Sequence, residues 1–392
     1  MPVAKRLGLP CTIRCCLNVL VILSFVRVLQ ADTPFGLPVA LPVEIRVAER
    51  AWAFPGSDGQ AHVAYEAAIT NMDRKGRKLT LKSIEILDNA NPALPLASFR
   101  GPELGEILQR PGLTGRNAGA SAIGGGMRAT VWLWLNLSSP ASPLALKHRF
   151  VFNLEGVEGE FPVECCLTQL DQHALPVLLP PVHGGNWSAG RGPSNSSGHR
   201  RQLMAINGQL HDAQRFAIDW YRLDERGKAF KNNGKNNSDF YGYGADALAV
   251  ADAVVADARD GIPENKPGDS RAVPIDFETV AGNCVVLDLG NGIYAAYAHL
   301  QPGSLRVKKG DAVRRGDVIG LVGNSGNSGG PHLHFHLMDS PSILDSEGIP
   351  YVLDNFALVG IFDPDHLKFH PSSSPTSHTK ELPLENMVVS FP

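Results

Sequence analysis

The stretch of the chain richest in chemistry is GNSGNSGGPHLHFHL, residues 323–337, where a run of small residues leads into His332, His334 and His336 at alternate positions. Successive side chains on a strand point to opposite faces, so this spacing sends all three imidazoles to one side. A neutral imidazole nitrogen is a favoured zinc ligand, and its second nitrogen is usually held by an outer partner that fixes the tautomer. Strand rise sets His336 about 7 Å beyond His334. That distance suits an outer-partner or core place better than a share of the same metal. Alternating histidines also arise on solvated faces, so the pattern acquires meaning from what accompanies it.

Two other segments accompany it. RFAIDW, residues 215–220, is an apolar strand ending on an acid, Asp219, and IYAAYAHL, residues 293–300, is an alternating run that reaches His299 near its end. Together with the HLHF run they resemble the lysostaphin-type (LytM-type) zinc endopeptidases over residues 198–339, more than a third of the chain. Members of that family bear a first zinc His and an Asp, a His in a YxHL strand, and an HxH strand after a Gly-rich loop. The resemblance implies one Zn2+ per chain, with Asp219 and His334 among its ligands and with His299 and His332 as the catalytic histidines. The segments ALAVADAVVADA (247–258) and VKKGDAVRRGDVIGLVGNSG (307–326) also look like core strands of the family.

One position departs from the common form, in which the first zinc His lies four residues before the Asp. Arg215 stands there, and arginine cannot ligate zinc. The candidates for the first imidazole are His199, in SGHRR, and His211, in LHDAQRF; a third outcome is a weakened or dead site. His199 fits variants of the family that place an HR pair well upstream of FAIDW, so the expected ligand set is His199, Asp219 and His334. The implied activity is hydrolysis of peptide bonds, most naturally peptidoglycan cross-links or other small-residue peptides, with an imidazole as general base. No HExxH helix supplies the Glu base of helical zinc proteases. The competing readings are a catalytically degenerate wall-binding scaffold of the same fold, a carrier barrel suggested by the VKKGD and RRGD turns, and a purely structural β-protein. An export signal and Asp219 both oppose the carrier.

The elements that must position these residues read as mainly β. Between residues 41 and 167, short runs alternate with period two, among them VEIRVAER (43–50), AHVAYEAAIT (61–70), KLTLKSIEIL (78–87), ATVWLWLNL (129–137) and LKHRFVFNL (146–154). Gly, Pro and Asn turns separate them, which argues for a β-sandwich-like N-terminal domain over residues 40–170. Residues 171–198, rich in Pro, Gly, Ser and Asn, are expected to form an exposed linker. An antiparallel β peptidase domain of the lysostaphin type is expected over 199–365. LDLGNGIYAAY gives a hairpin signal within it. The tail, 366–392, is Ser, His and Pro rich and expected to be loose, with LENMVVSF (384–391) able to add a last strand.

A chain of 392 residues, 43% of them hydrophobic, can bury more than one core. Its 40 Gly and 29 Pro against 7% aromatics imply many turns between short elements. The formal net charge of -3 offers no bulk attraction to nucleic acid or to anionic membranes. Residues 1–31 read as a signal peptide: Lys5, Arg6 and Arg14 precede an apolar run that is too short to span a bilayer comfortably, and Ala31 offers a small-residue cleavage point. The expectation is therefore export to the periplasm or cell surface with no stable membrane span after processing. Cys165, Cys166 and Cys284 would remain, allowing one intramolecular disulfide at most, and adjacent cysteines can hardly bridge each other without strain. Buried thiols are the expectation.

Overall fold

The computed structural model describes residues 41–392 except 49, 114–120 and 139–142. The leader expected at 1–31 lies outside the described residues. Residues 39–392 form a compact unit built from two large β-sheets, each with its own apolar core. Among the described residues no helix is long and apolar enough to cross a membrane.

The period-two runs of the N-terminal part become strands that pair where their buried faces coincide. Ala61–Asn71 lies antiparallel to Arg128–Leu137, with Ala61 opposite Leu137 and Thr70 opposite Arg128. Leu79–Asp88 lies antiparallel to Ala145–Leu154. A short parallel pairing of Phe161–Asp171 with Arg50–Pro55 joins these two halves into a sheet of ten strands. Val63, Ile69, Leu81, Ile84, Val131, Leu133, Phe150 and Phe152 fill the space that the halves enclose, the expected sandwich-like arrangement.

The C-terminal sheet has eleven strands, and its middle carries the chemistry. Tyr294–Leu300, Leu333–Met338, Ile218–Arg222, Gly184–Gly190 and Met387–Phe391 are successive neighbours. Leu333, Phe335 and Leu337 of the central strand point into a core with Trp187, Ile218, Trp220 and Tyr297. Alternation therefore leaves His334 and His336 on its other face.

Three segments differ from the sequence reading. Residues 184–190, expected within an exposed linker, form a strand between two neighbours, with Trp187 fully buried. Residues 247–258, expected as one strand, split into Asp246–Leu248 in a small two-stranded sheet and Ala253–Arg259 in the main one. The tail is paired rather than loose: Lys368–His378 forms an edge strand on Phe356–Asp363, and Met387–Phe391 inserts between Phe356–Asp363 and Gly184–Gly190. Lys368–His378 keeps most of its residues exposed, so no apolar alternation marks it, and its prolines are tolerated because only one side of the strand is bonded.

The two sheets meet over a seam with an apolar and a charged part. In the apolar part, Phe54 of the N-terminal sheet packs edge-on against Phe216 at 5.3 Å between centroids and against Trp134 at 5.6 Å. In the charged part, the fully buried Arg200 reaches into the N-terminal sheet. Its Nη2 donates to the carbonyls of Tyr65 (3.0 Å) and Leu133 (2.8 Å) and to Glu66 Oε1 (3.2 Å). Its Nη1 donates to Asn195, and the guanidinium lies 5.3 Å from the ring centroid of Trp132. Burial pushes the Arg200 pKa down to about 10, which still leaves it protonated at neutral pH. Glu66 also accepts from Arg215 at 2.8 Å. Burial would raise the Glu66 carboxyl, but the guanidiniums of Arg215 and Arg200 outweigh it and hold the carboxyl below its usual range.

Breaking a buried ion pair from one side costs about 3–5 kcal/mol, because the remaining charge stays desolvated. Arg200→Met removes the charge, takes one of the two guanidiniums from Glu66 and removes a donor from the carbonyls of Tyr65 and Leu133. It is expected to lower stability by about that amount, read as the shift of the urea unfolding midpoint; an unchanged midpoint would show that the seam does not depend on this residue.

Candidate functional site

Strand register brings the site together. Asp219 of Ile218–Arg222 lies directly across from His334, and Ala298 of Tyr294–Leu300 flanks His334 on its other side. Cross-strand partners share a face, so the Asp219 carboxylate meets the imidazole: Oδ1 is 2.9 Å from His334 Nδ1. His332 lies two residues back on the same face, with Nε2 3.3 Å from Oδ1 of Asp219. His299 by simple alternation would turn away from this face. It has φ 65° instead, a left-handed conformation at a register shift near the end of its strand, and its ring comes within 5.0 Å of His332 and 5.8 Å of His334 between centroids. Such backbone outliers are costly for a non-glycine residue and re-aim side chains at strand ends.

His199 comes from outside the sheet, on the segment that follows Gly184–Gly190. Its Nδ1 lies 3.1 Å from the carbonyl of Arg191, and its Nε2 lies 3.5 Å from Asp219 Oδ2. A carbonyl can only accept, so Nδ1 carries the proton and Nε2 presents a lone pair toward Asp219. The same reasoning applies to His299, whose Nδ1 is 2.9 Å from Ser325 O, and to His332, whose Nδ1 is 2.8 Å from Gly330 O. Each turns Nε2 into the site, that of His332 toward Asp219 Oδ1. His334 is oriented the other way, with Nδ1 toward Asp219 and Nε2 3.0 Å from Nδ1 of His336.

Ligand atoms of His199, Asp219 and His334 lie within 4.8 Å of one another, all on buried residues. Two imidazole nitrogens and a carboxylate, with outer hydrogen bonds on the imidazoles, are a donor set suited to zinc that leaves a coordination position open. Burial lowers the His199 pKa to about 4 despite the pull of Asp219, which keeps that imidazole neutral and able to ligate. Burial and the imidazoles of His332 and His334 push His299 well down. Asp219 would be raised by burial, but His199 and His332 hold it well below the usual carboxylate range.

His211, the other candidate for the first imidazole, lies elsewhere: it is on the hairpin strand Gln209–His211 and pairs with Asp345 at 3.1 Å. Arg215, which occupies the common first-His position, turns to the seam and pairs with Glu66, Asp212 and Glu347. Two contributors escaped the sequence reading. Tyr221 stacks on His332 at 4.7 Å between centroids, 23° from parallel, and fixes its plane; its signal was its place two residues after Asp219, on the same strand face. The backbone carbonyl of Arg191 orients His199, and no side-chain pattern announces a carbonyl.

Residues 239–346 match the model of Peptidase family M23. The resemblance to lysostaphin-type peptidases drawn from the sequence therefore stands. Asp219, His299, His332 and His334 lie inside or just before that span, and His199 well upstream of it. The chain is similar to the peptidoglycan DD-endopeptidase ShyA of Vibrio cholerae, 44% identical over 78 residues, which is 20% of this chain and 18% of that protein. It is also similar to endolysin 2638A of Staphylococcus phage 2638A, 32% identical over 108 residues, 27% of this chain and 22% of that one. The chain thus spans less than a quarter of the length of either relative. Among solved structures, the catalytic domain of lysostaphin from Staphylococcus simulans is 24% identical, with 42% of this chain and 88% of that chain covered at a TM-score of 0.23.

Purified chain offered zinc and then desalted is expected to retain one equivalent by elemental analysis. His334→Ala and His199→Ala are expected to lose it, and His211→Ala to keep it. Loss in His211→Ala with retention in His199→Ala would reverse the assignment of the first ligand.

Proposed function

We propose that this chain is a zinc-dependent metalloendopeptidase that hydrolyses peptide bonds in bacterial cell-wall cross-links, with His199, Asp219 and His334 holding the metal and His299 and His332 as the catalytic histidines. The observation that carries this reading is the meeting, on one buried sheet face, of a three-residue donor set with two further imidazoles whose Nδ1 protons are tied to carbonyls. A structural β-protein has no use for five ionisable side chains so placed, and burying them unpaired is costly.

Zinc bound there would supply a Lewis acid that polarises the scissile carbonyl and lowers the pKa of an attacking water. The protein's own contribution is proton management and orientation. Nε2 of His299 or His332 accepts the proton of the water and returns it to the leaving amine, and the other, protonated at Nε2 as well as Nδ1, donates to the negative charge that develops on the carbonyl oxygen. Tyr221 keeps His332 in plane for this. His336 bonds Nε2 of His334 and so leaves Nδ1 of His334, on the side of Asp219, as the nitrogen that would hold zinc.

The names of the relatives support a cell-wall substrate, as does the Gly-rich loop 323–330, which lets an extended chain of small residues approach closely. Export of the chain through a leader at 1–31 places it where such a substrate lies. We also assign residues 40–170 to an accessory β-domain and the C-terminal sheet, with its strands Gly184–Gly190 and Met387–Phe391, to the peptidase domain.

Digestion of purified sacculi tests the proposal. Zinc-loaded wild type is expected to release soluble cross-linked fragments. His299→Ala and His332→Ala are expected to keep their zinc and lose about 10²–10⁴-fold in rate, the usual worth of a general acid or base. A wild type that binds zinc and sacculi but releases nothing, from walls of several cross-link types, would replace the peptidase with a wall-binding scaffold.

A further inference from the structure

The groove over the metal-binding cluster, about 520 Å³, is bordered by two arginines that the chemistry above does not use, Arg191 and Arg271. Asp219 is the one carboxylate among its lining residues, and that carboxylate is committed to the imidazoles. Neither guanidinium forms an ion pair among the described residues. Arg271 donates from Nε to Asn327 of the Gly-rich loop at 3.3 Å, and its Nη2 is 3.9 Å from where a Cβ on Gly329 would stand. Arg191 is exposed at the side chain, yet its backbone is pinned: its carbonyl accepts from Ser197 Oγ at 2.7 Å and from the ligand His199. It lines the groove together with His199, Tyr221 and His332.

Unpaired guanidiniums beside a reaction centre are donors in search of an acceptor, and carboxylate is the planar anion that matches their fork. We propose that Arg191 and Arg271 select peptide cross-links that carry a free carboxylate beside the scissile bond, Arg191 holding it on the side of the first metal ligand and Arg271 on the side of the Gly-rich loop. This deepens the peptidase reading and rests on it. An uncharged oligoglycine bridge would leave both cations without a partner, so the substrate class is anionic stem peptide rather than neutral bridge. The energetic logic is that a charge-assisted bond replaces the solvent that a confined guanidinium loses when substrate fills the groove.

The test uses the zinc-loaded full chain and two synthetic cross-linked peptides, identical except that one bears free carboxylates beside the scissile bond and the other carboxamides. Wild type is expected to favour the carboxylate peptide by roughly tenfold or more in kcat/KM, mainly through KM, and Arg191→Gln and Arg271→Gln each to shrink that ratio severalfold. A ratio near one in wild type would overturn the proposal. So would a preference that survives in both variants, since the metal itself would then be holding the carboxylate. Calorimetric binding of the same two peptides separates this proposal from the peptidase reading. If neither peptide is cut, tighter binding of the carboxylate form that Arg191→Gln abolishes still supports the arginine pair while the peptidase fails; equal binding of the two overturns the pair as well.

Discussion

A single carboxylate, Asp219, governs the arrangement of the C-terminal sheet. It is buried in the middle of a strand, where an unpaired charge would be prohibitive; the imidazole of His334 meets it at 2.9 Å, and those of His199 and His332 lie close by. That requirement fixes strand register more tightly than apolar packing alone could. A slip of one residue would carry Asp219 to the face occupied by Ile218 and Trp220 and put an apolar side chain against His334. The opposite flank is constrained as well. Ala298, directly beside His334, is small enough to leave the groove open, and the backbone turn immediately after it brings His299 back over the site.

The first imidazole of the cluster is held differently from the rest. His334 is positioned by a ladder of backbone bonds, whereas His199 sits on an irregular segment and is fixed at both ends. The carbonyl of Arg191 takes its Nδ1 proton, and the next residue, Arg200, is clamped into the N-terminal sheet. The position four residues before Asp219 is not free to carry the imidazole, because Arg215 there points into the seam and shares Glu66 with Arg200. One carboxylate on the N-terminal sheet, Glu66, thereby organises both the residue beside His199 and the residue four positions before Asp219.

Much of this was legible in the sequence, for identifiable reasons. Alternation of His332, His334 and His336 translates directly into a shared face, because strand geometry is local. The period-two runs of the N-terminal half did the same for its strands. What stayed hidden depends on contacts distant in sequence. Residues 184–190 look like linker because Gly184, Gly185 and Gly190 weaken strand propensity, and only neighbours on both sides, one of them more than 190 residues away at Met387–Phe391, make them a strand. The turn of His299 onto the face of Asp219 and His334 needs a positive φ that the string YAHL does not encode. Arg200 reads as half of an HRR cluster suited to a solvated surface, yet it is completely buried, because its partners are carbonyls and an indole that no sequence pattern exposes.

The charge balance of the seam explains why the two sheets form one unit. Arg200 and Arg215 face Glu66, Asp212 and Glu347. Burial outweighs the neighbouring Arg215 and lifts the Asp212 carboxyl well above its usual range. Parting the sheets would break the balance between them: Glu66 leaves with the N-terminal sheet, while both arginines stay with the other. Arg200 would then lose the two carbonyls and the indole that hold it, and with them the fixed position of the adjacent His199. A sheet that contributes no residue to the cluster of His199, Asp219 and His334 thus becomes a condition for it, because the stability of the seam and the placement of His199 rest on the same buried guanidinium.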